Sequence, residues 1–129
     1  MTRREARELA FVLLFEKNFT DEKIAEIVEK AVDARDVEMD SFAMHLATGA
    51  EEKLDELDAA IEPALHNWSK GRLSRVALTV LRLAVFEMQF EENTPTSVAI
   101  NEAVELAKKY GGTEDAQFIN GVLGTLARA

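Results

Sequence analysis

Apolar side chains recur along this chain at three- and four-residue intervals, the spacing that lines one face of a helix. No stretch alternates convincingly as a strand would. Thr2 followed by Glu5 forms a capping box, so a helix is expected almost from the start. Ala6, Leu9, Ala10, Leu13 and Leu14 then share one side of it. Thr20 with Asp21 and Glu22 reads as the next N-cap, and Ile24, Ile27, Val28 and Ala31 as the buried face that follows. Asp40 or Ser41 opens a longer helical region carrying Phe42, Leu46, Ala50, Leu54, Leu57 and Ile61. Gly49 allows either a kink there or two shorter helices, and Pro63 should interrupt the hydrogen bonding.

The clearest pattern runs from 72 to about 90. Leu73, Val76, Ala77, Val80, Leu81, Ala84, Val85 and Met88 keep helical spacing, which predicts the central helix of the C-terminal half. Thr94-Pro95 is a cap followed by proline at the first helical position. That helix is expected to run to about Tyr110, with Lys108 and Lys109 in its last turn and Gly111-Gly112 as its stop. Thr113, Glu114 and Asp115 start a final helix through Phe118, Val122 and Leu126. The fold class expected is all-α: a single compact domain of about seven helices in two small bundles, about 1–66 and 67–129. Trp68 is expected to anchor the loop between them.

At 129 residues with 47% hydrophobic content, one domain with a real core is expected. The absence of cysteine excludes disulfides and thiolate metal sites. The start, MTRREARELAF, has no apolar signal core, and Arg82 and Glu87 break the longest apolar stretches, so a soluble cytoplasmic protein is expected.

The net charge of −9 argues against a nucleic-acid partner until its distribution is considered. Residues 18–65 hold fourteen carboxylates against Lys23, Lys30, Arg35 and Lys53. Residues 1–17 are slightly basic and residues 66–129 are balanced. Both ends therefore remain free to share a basic surface.

Catalytic hardware is almost absent, and an enzyme is not expected. His45 and His66 have no partner at metal-ligand spacing and read as ordinary structural or surface residues. Glu51-Glu52 belongs to a solvated acidic run. Gly111-Gly112 lacks the rest of a phosphate-binding motif, so neither metal nor cofactor is expected. The arginines of the first helix point elsewhere. Arg3, Arg4 and Arg7 fall on one flank, beside the apolar stripe, and Phe11 and Phe15 continue it. Guanidiniums hold phosphates through paired hydrogen bonds, and an exposed phenyl can stack on an unpaired base. The same spacing is equally served by a solvated face with Phe11 and Phe15 buried between helices.

Trp68, Arg72 and Leu73, then VLRLAVFEM (80–88), Pro95, VAINEAVELAKKYG (98–111) and FINGVLGTLA (118–127) closely resemble the NusB family. RREARELAFVLLF (3–15) resembles that family's arginine-rich first helix. The similarity is strong over 68–127, good over 3–15 and weak over the acidic middle. It implies two small helical bundles and a role in bacterial antitermination on nascent RNA, ribosomal RNA transcripts above all. It implies binding of single-stranded boxA RNA together with NusE, which is also a small-subunit ribosomal protein. Other Nus factors and RNA polymerase would complete the complex, and a homodimer is a possible storage state.

By the same resemblance, Arg3, Arg4 and Arg7 are the expected RNA-contacting cations, with Phe15 close by. Phe118 matches a position implicated in RNA contact, and Glu114 lies one turn before it. Asn101, Glu102, Asn120 and Gly121 match the family pattern with an architectural role open. Two departures stand out. Glu5 interrupts the arginine run, and Ala77 stands where the family commonly has an acidic residue near the NusE surface. Two alternatives are a purely structural helical dimer and an accessory RNA-binding domain of the kind fused to RNA cytosine methyltransferases. The latter would need a catalytic domain for which 129 residues leave no room.

Overall fold

The computed structural model describes residues 1–35, 40–65 and 73–128. Among them are seven α-helices and no strand: α1 (Arg3–Glu16), α2 (Ile24–Arg35), α3 (Ser41–Glu52), α4 (Leu54–Ile61), α5 (Arg75–Phe90), α6 (Thr96–Tyr110) and α7 (Thr113–Arg128). Short 3-10 turns follow α1 at Lys17–Phe19 and α4 at Glu62–Leu65. Trp68, His66 and Arg72 lie outside the described residues, as does the expected boundary between the two bundles.

The capping box forms as expected. Glu5 N–H donates to Thr2 Oγ1 at 3.1 Å and Thr2 N–H to Glu5 Oε1 at 2.9 Å, which starts α1 at Arg3. The start of α2 is different from expectation. Thr20 accepts only the Glu22 amide, in a turn, and the helix begins at Ile24. The Ile24 amide is taken by Glu51 Oε2 of α3 at 2.8 Å, and the same oxygen lies 3.5 Å from Lys17 Nζ. A tertiary contact has replaced the local cap. Gly49 does not break α3, which runs on to Glu52 and gives way to α4 at Lys53. Gly49 is there for space: a Cβ at this position would overlap the Phe86 ring.

Helix α5 begins at Arg75, where Ser74 caps the Ala77 amide at 3.0 Å. Its apolar residues run nearly all the way round, which places it in the interior. It packs on α1, α3, α4, α6 and α7, and so is the hub of the whole molecule rather than of its second half alone. Leu46, Leu57, Ile61, Ile119 and Leu123 are fully buried around it, as is its own Leu81. Each contributes about 1.5–3 kcal/mol by leaving water. The core runs without a break from α1 to α7. Arg82 of α5 grips Asp58 of α4 with two hydrogen bonds of 2.8 Å.

Pro95 sits at the cap of α6, one residue before the first helical position. The helix ends where the amides of Gly111 and Gly112 both reach the Ala107 carbonyl, at 2.7 and 2.8 Å. Gly112 has φ of +96°, open to glycine and costly for other residues. This tight stop turns the chain straight into α7, which lies along α6.

Candidate nucleic-acid interface

Because α1 starts at Arg3, the first two arginines occupy its opening turn and both are exposed. Arg3 lies over the ring of Phe42 on α3, 3.9 Å from its centroid. This cation–π contact fixes the guanidinium plane while leaving its N–H edge open. Arg4 projects from the neighbouring position toward α6. Its Nε donates to Glu102, at 3.1 Å from Oε2 and 3.4 Å from Oε1.

Arg7 corrects the expectation of three displayed cations. It is 7% exposed, and its side chain turns inward against α5. Nε donates to both oxygens of Glu87 at 2.9 and 3.0 Å, and Nη2 to Oε2 at 2.7 Å. Glu102 stands 3.9 Å from Nη1. The hydrogen bond to Glu87 pushes the already high guanidinium pKa further up, against the effect of burial. The physical reason lies in helical geometry: Arg7 stands three, four and seven residues before Ala10, Phe11 and Leu14, all buried, and so shares their face. A carboxylate buried on the facing helix draws it in.

The phenyl rings divide as well. Phe11 is buried and not available to a base. It packs on Tyr110 of α6, with centroids 4.8 Å apart, and stacks on Phe15 at 5.7 Å. Phe15 is half-buried and meets Phe19 edge-on at 5.4 Å. Phe19 is exposed, under the guanidinium of Arg75 at 4.8 Å. Phe15 sits eleven residues beyond Arg4, roughly 16 Å along the helix, so it does not join the arginine cluster.

Glu114 and Phe118 belong to α7, which packs on α5 and α6. Glu114 is exposed in the first turn; Phe118 is half-buried against the core. Tyr110, the last residue of α6, links this end of the molecule to α1 through Phe11 and through its hydroxyl, which donates to Glu8 Oε1 at 2.5 Å. Lys109 Nζ donates to the same oxygen at 2.5 Å. These two donors hold the Glu8 carboxyl below its ordinary pKa, and the bond to Glu8 pushes the Tyr110 phenol up to about 12. Asn101, Asn120 and Gly121 are exposed, and Ala77 is buried at the start of α5.

Sequence reasoning missed Phe42, Glu102 and Lys109 as parts of this surface and Glu87 as the buried partner beneath it. Glu87 did carry a signal. A single carboxylate inside the apolar run VLRLAVFEM needs a buried cation, since an unpaired charge there would be costly. Among the described residues no group of histidine and carboxylate side chains is arranged to hold a metal, and no helix is long and apolar enough to cross a membrane. His45 is exposed, with its ring nitrogen against Glu91.

The model of the NusB family matches residues 4–128. The chain is 41% identical to the transcription antitermination protein NusB of Clostridium botulinum (strain Kyoto / Type A2), across 98% of this chain and 99% of that protein. It is 38% identical to the protein of the same name from Clostridium novyi (strain NT), across the whole of both. Among solved structures, T. maritima NusB superposes with a TM-score of 0.85 at 38% identity, covering 99% of this chain and 92% of that one. A chain of the crystal structure of the antitermination factors NusB and NusE in complex with double-stranded RNA gives 0.86 at 28% identity, covering 98% and 96%. With its hub helix, its closing helix pair and all but the first residue of its arginine-led first helix inside the matched span, the chain belongs to the NusB family.

Proposed function

We propose that this chain is a non-catalytic transcription antitermination factor that binds single-stranded boxA-type RNA together with NusE and promotes ribosomal RNA transcription. It works on nascent transcripts in the bacterial cytoplasm, with RNA polymerase and other Nus factors as further partners. The observation that carries this reading is the exposed arginine pair at the start of α1, Arg3 on Phe42 and Arg4 at the edge of α6. Two exposed guanidiniums at one end of a rigid helix, one toward α3 and one toward α6, suit the phosphates of a strand crossing it. Relatives named for antitermination, and a neighbour solved with NusE and double-stranded RNA, support the partners.

In this reading Arg3 and Arg4 carry the backbone contacts, while Phe15, Glu114 and Phe118 contribute where bases are unpaired. Arg7 serves by holding α1 against α5. NusE adds a second protein surface, so the pair binds more tightly than either alone.

The test is a titration with boxA RNA and a scrambled strand, with and without NusE. Replacing Arg3 and Arg4 together by alanine should weaken boxA binding by about tenfold or more, since hydrogen bonds between charged groups are worth roughly 1.5–3 kcal/mol. The slope of log affinity against log salt should flatten by roughly 1.4, about 0.7 for each phosphate lost on a single strand. An affinity within about twofold of the parent overturns the reading.

A further inference from the structure

Of the two displayed arginines only Arg4 is paired with a carboxylate. Arg3 meets an aromatic face, whereas Arg4 spends its Nε on the carboxylate of Glu102. The Arg4 side chain is 65% exposed and that of Glu102 15%, so the pair marks the boundary between solvent and the packed surface. It stands at the mouth of a cleft between α1 and α6, lined also by Arg7, Glu8, Leu106 and Lys109. A carboxylate offers a guanidinium the same kind of two-oxygen edge that a phosphate does. A phosphate approaching Arg4 Nε would have to displace Glu102 from it.

We propose that Glu102 is a built-in competitor for the phosphate at Arg4 and thereby sets the affinity of the RNA site. This inference rests on the RNA-binding reading above. Displacing a half-buried carboxylate is ordinarily costly, because its charge is left without a partner. Here the cost is small. When Arg4 swings to a phosphate, Glu102 still faces Arg7 at 3.9 Å, and Arg7 stays fixed by its hydrogen bonds to Glu87. Glu102 is thus shared between a buried cation that never leaves and an exposed one that does. A role limited to positioning Arg4 predicts the opposite sign, since loss of the carboxylate would then weaken RNA binding.

The experiment measures boxA RNA affinity by fluorescence anisotropy for the full chain, Glu102→Gln, Glu105→Gln, Arg4→Ala and the double variant Arg4→Ala/Glu102→Gln. Glu105→Gln makes the same change in net charge one turn away on the same cleft, where the carboxylate pairs with Lys108 at 3.5 Å and not with Arg4. Glu102→Gln should tighten binding roughly two- to fivefold, the scale of a partly exposed ion pair. Glu105→Gln should do distinctly less, and the gain from Glu102→Gln should vanish without Arg4. Thermal melting checks folding, and Glu102→Met provides a second uncharged replacement of similar size. Equal gains from both glutamines, no gain or a loss with Glu102→Gln, or a gain that persists without Arg4 overturns the proposal. An Arg4→Ala chain that binds as tightly as the parent instead removes Arg4 from the RNA reading itself, and this proposal falls with it.

Discussion

Arg7 and Glu87 form a closed fork inside the protein: three hydrogen bonds of 2.7 to 3.0 Å join side chains that are 9% and 3% exposed. They lie eighty residues apart in the chain and fasten the first helix to the hub helix. Such a pair is not a large source of stability in itself, because both charges were stripped of water to make it. Its importance appears when it is broken.

Glu87→Ala leaves the buried Arg7 charge with only the distant Glu102 carboxylate, 3.9 Å away, and should cost about 3 kcal/mol, the low end for a broken buried pair. Arg7→Met/Glu87→Leu removes both charges and should recover most of that loss. Urea denaturation of the single and double variants, compared by their midpoints, measures both. A single variant no less stable than the double one would contradict the account.

Tyr110 is the one tyrosine of the chain, so tyrosinate absorbance reports it alone. Its midpoint should lie at about 12, above the ordinary value of about 10. Glu8→Gln should bring it back toward that value, because the acceptor would no longer be charged. The raised phenol contributes stability that is complete below about pH 10 and lost as pH climbs through about 12. Glu8 acts in the opposite direction. Its lowered pKa contributes stability present above the ordinary carboxyl value of 4.5 and lost as pH falls below it. Melting temperatures of the parent and Glu8→Gln should therefore converge in acid.

Gly49→Ala sets two effects against each other. Alanine gains roughly 1 kcal/mol in helix propensity. Its methyl would overlap the Phe86 ring, and overpacking a filled core costs about 1–3 kcal/mol. Phe86 is itself buried, its ring packed against those of His45 and Phe90, so the overlap should win and the melting temperature fall. Adding Phe86→Leu should restore part of the loss.

Helix existence was legible wherever periodicity and caps agreed. Thr2 with Glu5, Ser41 after Asp40, and Gly111-Gly112 each act locally, through neighbours a few residues away. The start of α2 was not legible, because its cap comes from Glu51 on another helix. The same distinction explains the arginines. Sequence spacing put Arg3, Arg4 and Arg7 on one flank, but a flank about a third of a helix wide spans both solvent and packed surface. Which side an arginine takes depends on partners distant in the chain: Phe42 for Arg3, Glu102 for Arg4 and Glu87 for Arg7. Glu87 was the readable clue, an acid stranded among apolar residues.

Glu51 gives the acidic stretch a meaning beyond solubility. By meeting both the first amide of α2 and the ammonium of Lys17, it splices three segments at one carboxylate. The second helix borrows its opening from the third, and a twelve-residue helix with no start of its own is marginal in isolation. The order of its first turn therefore depends on the third helix, which holds Glu51 in place. A change in the third helix that moves Glu51 loosens that first turn without touching a single residue of the second.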